Sequence, residues 1–209
     1  MFLHREFSLE PYSRHYSHER NCLLDFLTVD DFGKVTVKDE YQGRLGEVLG
    51  KYNHAKDANA LLKLPFTSLP DYLHMLRAVC GVLAEFRVGP SALIYLAAAV
   101  SDFFIPLTDL AEHKIQSREG PLEIKMDPVP KMLRALVKEW APEAFVVSFK
   151  LETDPELLLA KARGALSKYG HQLVVGNILN TRKRTVTMVP ADAKEYPVSL
   201  TDEQVSYWG

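Results

Sequence analysis

The stretch Ala92-Leu-Ile-Tyr-Leu-Ala-Ala-Ala-Val-Ser-Asp102 decides the fold. It is a continuous apolar run that stops at a Ser-Asp pair and is followed by Phe103-Phe-Ile-Pro106. A run of this length and composition reads as a strand buried on both faces, the kind found in parallel sheets. The three alanines before its carboxyl end leave room for another molecule to lie against the backbone. Ligands of open α/β sheets bind beyond the carboxyl ends of the strands. Ala97, Ala98, Ala99 and Asp102 therefore stand where a ligand is held.

The elements around this run alternate. Met1 to Leu3 reads as the end of an apolar strand, and Arg5 to Arg20 as a long polar and aromatic loop. Leu23 to Val37 alternates loosely, with room for a strand. Glu40 to Ala60 has helical spacing weakened by Gly43, Gly46 and Gly50. Leu61 to Phe66 is a short strand despite Pro65. Ser68 and Pro70 open a helix whose stripe is Tyr72, Leu73, Leu76, Val79, Leu83 and Phe86. After the Ala92 strand come a strand at Leu122 to Met126, a helix at Val129 to Trp140 and a strand at Phe145 to Lys150. Asp154-Pro155-Glu156 then caps a helix reaching about Tyr169. Strands at Leu173 to Val175 and Thr185 to Val189 complete the pattern. Strand–helix alternation with right-handed crossovers predicts an α/β fold: a Rossmann-like, doubly wound, mostly parallel sheet with helices on both faces. At 209 residues, positions 1–209 are read as a single domain.

Bulk composition narrows the function. Residues are 47% hydrophobic and 25% charged, and the net charge is -2. That balance offers no pull toward nucleic acid or an anionic membrane. The longest apolar run is too short to span a bilayer, and the amino-terminal residues lack the pattern of a signal peptide. Cys22 and Cys80, each in an apolar context, read as free thiols of a reducing cytoplasm. There is no CxxC or zinc-site spacing, so no protein metal site is expected.

Four positions carry candidate chemistry. Asp102, Phe149 and Asn177 end three separate strands, so the fold brings them to one edge. Taken singly, each has a plain reading: a turn carboxylate, a core aromatic, a turn amide. Together they suit a nucleotide, with Phe149 packing on a base. Lys114, in Glu112-His113-Lys114-Ile115, lies in a loop beyond the same strand end. It reads either as solvated surface or as a cation that meets phosphate oxygens as a reaction proceeds. Neither GxGxxG nor GxxxxGK[ST] occurs anywhere, so the chain shows no glycine-rich phosphate cradle.

The runs LAAAVSDFFIP (Leu96 to Pro106), EHKIQS (Glu112 to Ser117), VPKML (Val129 to Leu133), WAPEAFVVSFKLETD (Trp140 to Asp154) and VVGNIL (Val174 to Leu179) share order and spacing with a known family. They resemble phosphopantothenate–cysteine ligase, or phosphopantothenoylcysteine synthetase, in its eukaryotic, ATP-using form. The resemblance covers Leu61 to about Lys183 well, including LKLPF at Leu62 to Phe66, and Met1 to Ala60 weakly. It implies a step of coenzyme A synthesis. The carboxylate of 4'-phosphopantothenate attacks the α-phosphate of ATP with Mg²⁺ present, giving an acyl-adenylate and pyrophosphate. The amine of cysteine then displaces AMP. By the same resemblance, Ala98, Ala99, Asp102, Phe149 and Asn177 line the nucleotide site and Lys114 is the catalytic cation. Lys161 and Arg163 are possible phosphate contacts, and the protein is a cytoplasmic homodimer.

The family opens with a strand, a Ser-Gly-Gly-Thr type loop and a helix, whereas this sequence opens at what would be the second strand. The expectation is therefore an N-terminally truncated member of the family. The alternative is a catalytically inactive paralogue that binds nucleotide or regulates a full-length subunit.

Overall fold

The computed structural model describes residues 1–8, 10–12, 22–113, 122–202 and 204. The chain divides into two compact units, Met1–Tyr72 and Leu73–Val205.

In the first unit, β1 (Phe2–Arg5) precedes a short hairpin of β2 (Leu27–Val29) and β3 (Val35–Val37). The hairpin turn is held by the Asp30 carboxylate, which accepts from the backbone N–H groups of Phe32 and Lys34 at 2.9 Å each. Gly33 supplies the left-handed backbone of that turn at φ +80. α1 (Asp39–Asp57) fulfils the helical spacing of Glu40 to Ala60 and buries none of its residues. β4 (Lys63–Phe66) pairs in parallel with β1, from Phe2 opposite Lys63 to Arg5 opposite Phe66. The apolar runs at Met1 and Leu61 are thus neighbouring strands.

α2 (Leu69–Glu85) begins at a reciprocal cap. The Asp71 N–H donates to Ser68 Oγ at 3.3 Å, and the Ser68 N–H donates to the Asp71 carboxylate at 3.0 Å. In the second unit follow β5 (Leu93–Leu96), β6 (Phe103–Phe104), β7 (Asp127–Pro128), α3 (Met132–Ala135), β8 (Phe145–Glu152), α4 (Pro155–Tyr169), β9 (Leu173–Ile178), β10 (Thr185–Pro190) and β11 (Tyr196–Ser199). Five of these strands form a sheet of order β11-β10-β9-β8-β5. β5, β8 and β9 are parallel, and β10 and β11 are antiparallel to their neighbours. The expected parallel arrangement holds for the three strands that carry the candidate site.

α4 forms as its sequence dictates. Asp154 accepts from the Glu156 N–H at 2.9 Å, Pro155 fills the first helical position, and Gly170 ends the helix at φ +74. The helix lies on one sheet face, where Ala162 and Leu166 bury Val174 and Val189. Gly176 sits under it so closely that an added Cβ would lie 3.2 Å from the Leu158 side chain.

Three expectations are corrected. The Ala92 run is a strand only over Leu93–Leu96, and it is not buried on both faces: Ile94 is buried, while Leu93 is 63% and Tyr95 58% exposed. Successive side chains point to opposite faces, and only the face carrying Ile94 is covered, so burial alternates. Leu122 to Met126 forms no strand; the pairing falls instead on Asp127–Pro128, opposite Phe104 and Phe103. The helix expected from Val129 starts at Met132, because two prolines precede it, and continues as a π-helical turn over Leu136–Trp140. Among the described residues, no helix is long and apolar enough to cross a membrane.

One buried base sets a pH dependence. His171 is buried between α4 and β9, and its Nε2 shares a 2.8 Å hydrogen bond with Ser148 Oγ. Its Nδ1 is buried without a partner. Protonation would add charge with no acceptor, so burial holds this imidazole below its ordinary value. The unfolded chain therefore binds the extra proton first. The stabilisation is complete above pH ~6.5 and is lost as pH falls from there through the lowered folded value. Urea midpoints at pH 7.5 and 5.5 should differ more for the native sequence than for His171→Gln; equal differences would refute the assignment.

Candidate functional site

The parallel strands β5, β8 and β9 direct their carboxyl ends to one edge of the sheet. Strand alternation sorts the side chains there. Phe149 pairs with Val175, and Leu151 with Asn177, so Phe149 and Asn177 project from the same face of adjacent strands. Tyr95, opposite Val147, is on that face as well and meets Phe149 edge-on, with ring centroids 4.9 Å apart. The Asn177 side-chain oxygen is buried and has no hydrogen-bond partner. A buried acceptor left open at a strand end is costly in isolation, and it suits a ligand that brings an N–H or O–H donor.

Lys150 and Glu152 take the opposite face, which α4 covers. The Glu152 carboxylate, 10% exposed, receives Lys161 Nζ at 2.8 Å and Lys150 Nζ at 3.2 Å. The hydrogen bond from Lys161, assisted by Lys150, holds the Glu152 carboxyl below the usual carboxylate range. Lys161 is thus tied to the end of β8 on the face opposite Phe149 and Asn177, with its ammonium on the Glu152 carboxylate.

Beyond β5 the backbone leaves the sheet. Ala97, Ala98 and Ala99 are exposed and irregular, and they lead to a turn in which Ser101 Oγ donates to the Phe103 carbonyl at 2.7 Å. Asp102 follows Ser101. Its backbone carbonyl accepts from the Val129 N–H at 2.8 Å, and its carboxylate accepts from Lys131 Nζ at 2.7 Å. That hydrogen bond, with the positive charge of Lys150 adding to it, depresses the Asp102 carboxyl. The partner ammonium is raised in turn.

Arg163 is not brought to this edge. Its guanidinium donates to the carbonyls of Pro190 and Ala193 at 2.6 and 2.9 Å and to the Glu195 carboxylate at 2.8 Å. Pro190 pairs with Leu173, the first residue of β9, so Arg163 works at the amino ends of the strands. The hollow lined by Arg163, Ser167, Gly170, His171 and Ala191 lies at that end too, away from the candidate groups. Lys114 lies outside the described residues.

Sequence reasoning missed Tyr95, Lys131, Lys150 and Glu152. Two of them carried a signal. Lys150 and Glu152 are two apart on a strand and so share a face, and a helix carrying Lys161 packs there. Lys131 stands inside the VPKML run, but only the β6–β7 pairing shows that this run returns to Asp102.

Comparison with known proteins adds an independent line. The model of the DNA/pantothenate metabolism flavoprotein C-terminal domain matches residues 74–204. A phosphopantothenate--cysteine ligase of Mus musculus is 45% identical over 211 residues, which is 99% of this chain and 66% of that protein. The Homo sapiens protein of the same name is 50% identical over 159 residues, 76% of this chain and 50% of that protein. A solved structure of a Cab2 mutant in complex with phosphopantothenate-cysteine superposes with a TM-score of 0.85 at 43% identity, covering 97% of this chain and 66% of that one. The chain thus spans between half and about two thirds of the length of these relatives.

Proposed function

The chain belongs to the DNA/pantothenate metabolism flavoprotein C-terminal domain family, and from that premise we propose that it serves coenzyme A synthesis as a phosphopantothenate–cysteine ligase. The substrates are ATP, 4'-phosphopantothenate and cysteine, and residues 1–209 act as one Rossmann-like, doubly wound domain of a cytoplasmic homodimer.

The observation that supports this reading is that Phe149 and Asn177 share one face of the parallel strands β8 and β9, with the Asn177 side-chain oxygen buried and unpartnered. The Tyr95–Phe149 pair, its rings at 76° to each other, offers an apolar aromatic corner for the base, and the open Asn177 acceptor takes a donor from it. Ala98 and Ala99 let the nucleotide approach the backbone. Asp102 accepts from sugar hydroxyls, Lys161 lends its charge to the phosphates, and Lys114 is the cation nearest the reacting phosphorus. Arg163 is left to the β10–β11 turn.

The chemistry asks mainly for orientation and charge compensation. A carboxylate oxygen of phosphopantothenate bonds the α-phosphorus as the bond to pyrophosphate breaks. The cysteine nitrogen then bonds the acyl carbon, AMP departs with the carboxyl oxygen, and the amine gives up a proton. Among the described residues, no three His, Cys, Asp or Glu side chains group to hold a metal. A Mg²⁺ brought with the nucleotide would take its phosphate oxygens and need no more than one or two carboxylates from the protein.

The test is direct. The purified chain is mixed with ATP, Mg²⁺, 4'-phosphopantothenate and cysteine, and pyrophosphate and 4'-phosphopantothenoylcysteine are followed. Pyrophosphate release that requires phosphopantothenate, with product that requires cysteine, is expected. ATP binding without either product would favour the paralogue alternative.

A further inference from the structure

Lys131 is left without a role by the reading above, although it stands in the VPKML run and holds Asp102. The two side chains are 57% and 76% exposed. An ion pair so open to water contributes little to the stability of a fold. It is therefore not what anchors this segment. The anchors are backbone bonds: the Phe104–Asp127 and Phe103–Pro128 pairings, and the Val129 N–H on the Asp102 carbonyl. They deliver Lys131 to the carboxylate independently of its charge.

The ion pair also leaves capacity unused. An ammonium carries three donors and a carboxylate accepts on two oxygens. Among the described residues, one donor and Asp102 Oδ1 are engaged with each other. The free carboxylate oxygen suits a hydroxyl, and the free ammonium donors suit an anion. A hydroxyl acceptor beside an anion donor is the complement of a sugar phosphate. In the proposed nucleotide site, Phe149, Tyr95 and Asn177 of the adjacent parallel strands supply the surface for a base. From this juxtaposition we infer that Lys131 is a phosphate-binding residue of the nucleotide site, held in position by Asp102.

The inference rests on the nucleotide reading of this edge, so the experiment separates the two. Binding of ATP and of adenosine is measured by calorimetry or competition for the native chain, Lys131→Met and Lys131→Arg, with 4'-phosphopantothenate titrated in parallel. Lys131 is exposed, so the variants should keep the native thermal midpoint. The expected result is ATP affinity about tenfold lower in Lys131→Met, adenosine affinity unchanged, and most of the loss restored in Lys131→Arg. Equal weakening of ATP and adenosine would make Lys131 a support for Asp102 and overturn the inference. So would unchanged ATP binding with weakened phosphopantothenate, which would assign the cation to the other phosphate. A native chain that binds neither ATP nor adenosine removes the nucleotide reading itself, and the inference with it.

Discussion

Val174→Asp is expected to abolish cooperative folding of the unit that carries the candidate site. Val174 has no solvent exposure, and its face of β9 is enclosed by Ala162, Leu166 and Val189. Aspartate is close to valine in volume, so the change tests charge rather than size. A carboxylate there has two options, both unfavourable. It stays ionised without a partner, or it takes up a proton and still buries polar oxygens. Uncompensated charges in cores destabilise by about 3–5 kcal/mol, against a total of about 5–15 kcal/mol for an ordinary domain. The expected signature is loss of the cooperative thermal transition and of near-ultraviolet circular dichroism. Val174→Thr, which buries one hydroxyl, should cost about 1–3 kcal/mol and keep the transition. An aspartate variant melting within a few degrees of the native chain would mean that the α4–β9 interface is not the core of this unit.

Where the sequence was legible, local chemistry and tertiary packing agreed. Asp154, Pro155 and Gly170 start and stop α4 by backbone rules that need no distant partner, and Phe145–Glu152 is long enough for its apolar content to fix a strand. Parallel pairing of β5, β8 and β9 followed from the alternation of strands and helices, and with it the placing of Phe149 and Asn177 on one face of adjacent strands. Where reading failed, a partner far along the chain decided. The Ala92 run has the composition of a two-face buried strand, but burial depends on what lies on each face, and no periodicity reveals an edge position. Its pairing stops at Leu96, opposite Ser148, and Ala97 already turns back with its N–H on the Tyr95 carbonyl. Arg163 has the charge of a phosphate contact, yet the three acceptors that engage it lie 27 to 32 positions away. Lys131 and Asp102 are 29 positions apart and meet only through a two-residue ladder.

Lys114→Ala is expected to remove nearly all pyrophosphate release while leaving ATP affinity almost intact, and the contrast with Lys131 is the reason to make both variants. A cation that contacts the phosphates in the ground state lowers Kd and KM; one that meets charge only as the Pα–O–Pβ bond breaks raises kcat. In the proposed reaction, negative charge builds on the departing pyrophosphate, and in a site cleared of water a single positioned charge is worth roughly 10²–10³ in rate. The segment bearing Lys114 is bounded by Phe104 and Asp127, which pair with each other next to Asp102, so both of its ends return to the candidate site. Lys114→Ala should therefore lower kcat by roughly 10²–10³ with KM for ATP changed less than about threefold, and Lys114→Arg should recover part of the rate. A variant whose KM rises while kcat holds would place Lys114 beside Lys131 as a binding residue. A variant with native kcat and KM would take it out of the reaction altogether and leave the rate to orientation by the sheet edge.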